Sequence, residues 1–213
     1  MKKQDAAIEK YRNFMREIRY RTDVINRTLS TLKNGGALTG FRESDIELVF
    51  LQFRHCLELM MFASLSAHYH TGHELSRKIL NKEYNASKLL RFLRTKNPKF
   101  YPKPVEIGDK KNEDGMYLVE DILDGYLTEN EFCTLYDKTC GKLLHAQRTS
   151  KFDDNHDELV SEALAYRDKM MNLLNCHWVH LNDAISFRVV MRDAQTGDVG
   201  INVMRYIGQA DEL

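Results

Sequence analysis

The sequence predicts a mainly α-helical fold, an antiparallel helical bundle that carries a C-terminal β-hairpin. Apolar residues recur at three- and four-residue steps through residues 3–33 and 157–182, as on the inner face of amphipathic helices. Segments 44–47 and 128–131 have the form of capping boxes, which mark helix starts. Only after residue 184 do β-branched runs appear in pairs, separated by a turn-like segment, which indicates a hairpin.

The composition fits one globular unit. The chain has 213 residues, is 43% hydrophobic and contains only three prolines. We predict a helical bundle over 1–184 and a hairpin appendage over 185–213. The 31 basic and 31 acidic residues cancel, so no global field recruits nucleic acid or an anionic membrane. The start of the chain lacks a secretory signal and the four cysteines form no CxxC pair, which predicts a cytoplasmic protein with reduced thiols.

The first helix is predicted over 3–33, with Asn34-Gly35-Gly36 ending it. Its apolar residues share one face and its basic residues share the other. The simpler interpretation of the basic face is a solvated surface, and the alternative is a surface for nucleic acid or a partner. The basic residues are Lys10, Arg12, Arg16, Arg19, Arg21 and Arg27.

The second helix, predicted from Ser44 to about His68, is apolar on nearly every side, as expected of a central helix surrounded by others. Arg54 and Glu58 are four residues apart and face the same way, which predicts an ion pair. Because these charges and His55 interrupt the apolar window, we expect a buried core helix and no membrane span.

The most basic stretch covers 74–103, with nine basic and two acidic residues, and includes a helix that Asn81 or Asn85 caps. Basic side chains interleaved with aromatic ones suit single-stranded RNA, through phosphate neutralisation and base stacking. The alternative is that Phe92, Phe100 and Tyr101 anchor the loop onto the core. The predicted RNA contacts are Lys88, Arg91, Arg94, Lys96 and Lys99.

An acidic stretch follows over 104–131, with nine acidic residues and two lysines, and is expected to fold over the basic patch and screen it. The prolines of Asn97 to Pro104 predict extended chain before it. Residues 116–119 are compatible with a short strand or a helical turn.

The helix that starts at Thr128 carries the most informative candidates for chemistry. His145 lies near its end, seven residues after Lys138 and three after Lys142. An imidazole can move the protons of a phosphodiester reaction while a cation stabilises the developing charge, so His145 is the acid–base candidate. In the structural interpretation, His145 caps the helix C-terminus, where its charge complements the helix dipole.

Two histidine clusters raise the question of a metal site. One comprises His68, His70 and His73, and the other comprises His177 and His180. Histidine is a good zinc or iron ligand, but neither cluster has a recognised ligand spacing. We therefore predict no metal and no cofactor.

Three segments together resemble the HEPN superfamily, over roughly residues 40–182. They are Phe53-Arg-His-Cys-Leu-Glu-Leu59, Asn97-Pro-Lys-Phe-Tyr-Pro102 and Tyr136-Asp-Lys-Thr-Cys-Gly-Lys-Leu-Leu-His-Ala146. The resemblance implies an antiparallel helical bundle, often dimeric, and frequently a metal-independent ribonuclease of a toxin–antitoxin, abortive-infection or other defence system. The family pattern is an arginine, four to six residues, then a histidine. No arginine lies at that distance before any histidine here, and Lys138 occupies the position seven residues before His145.

The sequence thus predicts a HEPN-like, RNA-associated protein of a bacterial toxin–antitoxin or defence system. As an enzyme it would be a metal-independent endoribonuclease, with His145 as acid–base group and Lys138 and Lys142 as phosphate contacts. The alternative is a non-catalytic HEPN-derived scaffold that binds protein partners of the same system. We expect a homodimer, in which the C-terminal hairpin is a plausible contact.

Overall fold

The computed structural model describes residues 2–70, 83–111, 117–144 and 155–205, which form a set of helices and a five-stranded sheet. The helices are α1 (Lys2–Lys33), α2 (Arg42–His70), α3 (Ala86–Lys96), α4 (Glu129–Cys133), a π-helix (Thr134–Cys140), α5 (Gly141–Leu144) and α6 (His156–Leu174). The strands are β1 (Lys103–Lys111), β2 (Tyr117–Asp121), β3 (Cys176–His180), β4 (Ile185–Val190) and β5 (Gly200–Arg205).

The predicted fold class, a mainly α bundle with a β-hairpin, is wrong, because the structure is mixed α/β. All strand pairs are antiparallel and the strand order is β2-β1-β3-β4-β5. The predicted hairpin exists as β4 and β5, which pair from Ile185–Arg205 to Val190–Gly200. It is the edge of a larger sheet, which supplies the further strands that an isolated hairpin needs for stability.

The long helix predicted over 157–182 is also wrong beyond Leu174. Asn175 ends α6, and its carbonyl accepts a hydrogen bond from the Met191 amide (2.9 Å). The next residues form β3, which pairs with β4 from Cys176–Val190 to His180–Ser186. β3 is hydrogen-bonded along both edges, because β4 pairs with one edge and β1 pairs with the other.

The helices α1 and α2 follow the sequence prediction to within two residues at each end. Gly35 has a φ of +78°, which favours glycine, and the Gly36 amide donates to the Thr31 carbonyl (3.0 Å), so α1 ends where expected. The predicted capping box at Ser44 is wrong, because α2 already starts at Arg42. Instead the fully buried carboxylate of Asp45 accepts hydrogen bonds from the loop amides of Leu38 and Thr39.

One core joins the helices to the sheet. α2 contributes many of its fully buried side chains, which confirms the predicted central helix. Within the described ranges, α2 is the one helix long and apolar enough to cross a membrane by length and composition. Of its most apolar 18-residue window, 61% is buried in the fold. On the sheet side, the ring of Tyr11 packs edge-on against Phe187 at 6.2 Å.

Part of the basic face of α1 holds the β4–β5 turn, so the interpretation as a solvated surface is incomplete. The Arg16 guanidinium donates to both carboxylate oxygens of Asp198, and Arg19 donates to the Gly197 carbonyl (2.9 Å). Arg12 donates to the Val199 carbonyl (3.3 Å). The bonds from Arg16 hold the pKa of Asp198 well below its usual range. These arginines therefore join α1 to the sheet.

Candidate functional site

The five predicted RNA-contacting cations are all exposed, and they lie on α3 and the loop after it. The ammonium of Lys96 lies 5.8 Å from the centre of the Phe92 ring. The other four each have a carboxylate within ion-pair distance, so the patch is partly neutralised. The pairs are Lys88 with Glu83 (3.8 Å), Arg91 with Asp137 (3.9 Å), Arg94 with Glu129, and Lys99 with Asp183 (3.7 Å).

Glu129 belongs to the acidic stretch expected to screen the basic patch, whereas Glu83, Asp137 and Asp183 lie outside that stretch, so it supplies only one of the four carboxylates. The aromatic residues support the structural alternative. Phe100 is fully buried, and the Tyr101 hydroxyl donates to the Leu127 carbonyl (2.9 Å). These two rings therefore anchor the loop after α3, and a base cannot stack on Phe100.

The helix that carries the predicted catalytic residues starts as expected. Thr128 and Glu131 form a complete capping box at the start of α4. The chain then widens into the π-helix, a rare form that is frequent at functional sites. Lys138 is exposed on this π-helix. The Lys142 side chain and the whole of His145 lie outside the described residues.

The π-helix packs on α2 through side chains five residues apart. Leu135 and Cys140 are both buried, and their separation matches the i to i+5 hydrogen-bond spacing of a π-helix. The Cys140 thiol approaches the Phe50 carbonyl at 3.4 Å. Burial raises the pKa of Cys140 to about 12, so its thiol is not a reactive nucleophile.

Between α2 and the π-helix lies a polar cluster centred on Tyr136. Its hydroxyl donates to Glu58 Oε1 (2.9 Å) and accepts from Arg54 Nη2 (3.1 Å), while the Arg54 guanidinium lies 4.4 Å from the centre of the ring. Arg54 Nε is 3.3 Å from Glu58 Oε1, which confirms the predicted ion pair. Burial and the bond to Glu58 raise the pKa of Tyr136 to about 12, so the phenol stays protonated at neutral pH.

His55 extends this cluster towards solvent, and the sequence interpretation passed over it. Its Nδ1 lies 3.5 Å from Glu58 Oε2, and 38% of its side chain is exposed. A carboxylate beside an imidazole can orient the ring for proton transfer, and Arg54 adds a cation nearby. The spacing of Arg54, His55 and Glu58 on one helix face indicates that these side chains are neighbours. The part played by Tyr136 could not be predicted in this way, because it is 82 residues away from Arg54 in the chain.

The described members of the histidine clusters are held by protein groups. His68 Nδ1 donates to the Ser64 carbonyl (2.7 Å), and its Nε2 accepts from Asn97 (2.9 Å). Both ring nitrogens of His177 are hydrogen-bonded in the core, and Nδ1 of His180 contacts a serine hydroxyl. The His70 side chain and His73 lie outside the described residues. Within the described ranges, no three His, Cys, Asp or Glu side chains are placed to hold a metal ion.

The structure therefore brings the predicted RNA-binding helix and the predicted catalytic helix together. Arg91 on α3 reaches Asp137, the neighbour of Lys138, and Arg94 reaches the start of α4. The result is one surface with exposed cations, bordered by the π-helix. No protein-family model, curated protein or solved structure matches the chain.

Proposed function

We propose that this chain is an RNA-associated protein of the HEPN type, from a bacterial toxin–antitoxin or defence system, that binds RNA along α3 and cleaves it without a metal. The observation that supports this proposal is the 3.9 Å contact between Arg91 and Asp137. It joins α3, which carries the predicted RNA contacts, to the π-helix, which carries Lys138. In the proposed reaction, His145 moves the proton and Lys138 and Lys142 bind the phosphate.

The ion pairs on this surface do not prevent RNA binding. The cation side chains of the four pairs are 57–72% exposed, and ion pairs between exposed groups typically contribute only about 0–1 kcal/mol. A guanidinium can hold a phosphate by two parallel bonds, as it can a carboxylate, so an RNA phosphate can take the place of a solvated surface carboxylate. RNA is therefore expected to compete with the carboxylates, which reduce its affinity.

This competition gives a sharp test of where RNA binds. The variant Asp137→Asn is expected to bind single-stranded RNA more tightly, because Arg91 is released for a phosphate. Arg91→Gln is expected to bind more weakly, and the logarithmic slope of affinity against salt is expected to fall by roughly 0.7. Fluorescence anisotropy over a salt series measures both effects.

Asp157→Asn is the matched control, because it changes the net charge equally but removes a carboxylate that contacts Arg42 on another surface. Equal gains in affinity for Asp137→Asn and Asp157→Asn would show a general charge effect, and would contradict RNA binding along α3.

Cleavage is tested with the wild type and His145→Ala, incubated with structured and single-stranded RNA in the presence of EDTA. The wild type is expected to cut RNA, to be unaffected by EDTA, and to leave a substrate with 2′-deoxy residues intact. His145→Ala is expected to bind the same RNA and leave it uncut. His156→Ala, a half-buried histidine at the start of α6, is the control that retains cleavage.

If the wild type did not cut RNA even at high protein concentration, the proposed nuclease activity would be wrong. If RNA also failed to bind, the non-catalytic scaffold would be the better interpretation. Cleavage that EDTA abolishes would contradict the metal-independent mechanism.

A further inference from the structure

A groove of about 530 Å³ lies where the loop after α3, the start of β1 and the end of β3 meet. We propose that this groove binds a phosphate monoester, either a free nucleoside monophosphate or the terminal phosphate of an RNA. Its volume is within the range of small-molecule sites and exceeds what a phosphate group alone requires. The lining residues are Lys99, Tyr101, Lys103, His180, Asn182 and Asp183.

The walls of the groove are held in place by backbone pairing and one half-buried side-chain amide. Lys103 in β1 is directly opposite Trp178 in β3, so its side chain lies on the same face of the sheet as Trp178 and as His180, two residues further along β3. Asn97 Nδ2 donates to the His180 carbonyl (2.7 Å), which ties the loop that carries Lys99 to the end of β3. The three segments thus form a preorganised site, which reduces the entropy cost of binding.

His180 provides a neutral donor or acceptor in the groove. Its Nδ1 lies 2.8 Å from the hydroxyl of the buried Ser186, and its ring lies nearly parallel to that of Trp178, at an angle of 14°. Among the described residues, none is hydrogen-bonded to its Nε2. Burial, followed by the charges of Lys103 and Lys99, lowers the pKa of His180, so the imidazole is neutral at neutral pH.

The charges favour a dianion over a monoanion. Both lysines line the groove together with His180, so their ammonium groups can reach one ligand there. Lys99 is 3.7 Å from Asp183 and Lys103 contacts Asp121, and both carboxylates are exposed. A monophosphate with about two negative charges can displace two such surface contacts. A neutral nucleoside gains nothing from them.

This inference does not depend on RNA cleavage, although Lys99 is also one of the predicted RNA contacts. Lys103 and His180 belong to neither the predicted RNA-binding set nor the predicted catalytic set. Lys103→Gln therefore tests the groove independently of the proposed nuclease activity, because it removes a groove cation and leaves His145 and α3 unchanged.

The test measures binding of 5′-AMP, 3′-AMP and adenosine by isothermal calorimetry, and of one RNA oligonucleotide with and without a terminal phosphate. We expect the wild type to bind a phosphorylated ligand at least ten-fold more tightly than its unphosphorylated counterpart. Lys103→Gln and His180→Gln are expected to lose most of this preference while keeping the wild-type melting temperature within a few degrees. Lys88→Gln has the same charge change on α3 and is expected to keep the preference.

A second readout is the NMR signal of the His180 ring, which is expected to shift on titration with 5′-AMP and to titrate at higher pH in the complex. A preference for the phosphorylated oligonucleotide without binding of either mononucleotide assigns the ligand as an RNA end, and binding of a mononucleotide assigns it as free nucleotide. Equal binding of phosphorylated and unphosphorylated ligands, no binding of any, or equal loss in Lys88→Gln would overturn the proposal, whatever the outcome of the cleavage assay.

Discussion

Acidification from neutral pH to about pH 4 is expected to lower the free energy of unfolding by about 3 kcal/mol through His177 alone. The imidazole of His177 is 0% exposed. Its Nδ1 donates to the Leu174 carbonyl (2.9 Å), so its Nε2 accepts from the Tyr11 hydroxyl (3.1 Å). Protonation of Nε2 would place a charge in the core and turn the acceptor of Tyr11 into a second donor.

The direction of this pH dependence follows from the number of protons that the folded and unfolded chains bind. Burial lowers the pKa of His177 from 6.5 to about 4 in the folded state. Between these values the unfolded chain binds the proton and the folded chain does not, so protons favour unfolding. The stabilisation is complete above about pH 6.5 and is lost as the pH falls towards about 4. Tyr11 cannot relieve the charge by ionising, because burial raises its pKa well above the usual value.

Urea denaturation of the wild type and His177→Gln over this pH range measures the effect. The variant is expected to be less stable at neutral pH and to have a clearly smaller dependence on pH. His156→Gln is the control and is expected to follow the wild type. Asp198 adds a separate loss at lower pH, because its pKa is lowered. Parallel pH profiles for wild type and His177→Gln would contradict the assignment.

The sequence predicts α1 and α2 well because both are long enough for the apolar period to be unambiguous. Local chemistry also marked the glycine stop at Gly35 and the capping box at Thr128, since each depends on residues a few positions apart. The capping box at Ser44 failed for a tertiary reason. The buried carboxylate of Asp45 binds loop amides six and seven residues earlier, a pattern outside the local motif.

Beyond the β4–β5 hairpin the sheet was not predicted, because β1, β2 and β3 lack a clear two-residue period; at β2 a short strand was only one of two alternatives. β2 is exposed along almost its whole length, and β1 is rich in charge, so neither presents an alternating apolar face. In β3, Trp178 and the following Leu181 also fall at helical spacing after Leu174, so the same residues fitted a longer α6. Pairing with β1 and β4 decides the outcome, and pairing partners are not visible in local sequence.

For the candidate site, the sequence could identify side chains but not the contacts among them. The exposed cations of α3 and the ion pair between Arg54 and Glu58 are local features and were predicted. The contact from Arg91 to Asp137 and the bonds around Tyr136 join residues far apart in the chain. They arise from the packing of α3 and the π-helix against α2, which the apolar pattern does not specify.

Asn97 connects the helices to the sheet by hydrogen bonds, and its substitution is expected to weaken that connection directly. Its backbone amide caps α3 by donating to the Leu93 carbonyl (2.8 Å). Its side-chain amide donates to His68 Nε2 at the end of α2 (2.9 Å) and to the His180 carbonyl at the end of β3 (2.7 Å). Its Oδ1 accepts from the Lys99 amide (2.9 Å), which shapes the loop.

Asn97→Ala is expected to lower the free energy of unfolding by about 3 kcal/mol, because it removes several hydrogen bonds, one of them to a fully buried imidazole. Asn97→Asp keeps the bond from the Lys99 amide but replaces the donor with an oxygen that faces the His180 carbonyl, so it is expected to be at least as unstable at neutral pH. Asn26→Ala, which loses a single bond from Arg167, is the control and should cost about 1 kcal/mol or less. Urea denaturation gives the three values. If Asn97→Asp retained wild-type stability, the side-chain donor would not join the two halves, and the orientation of His180 in the groove would need another cause.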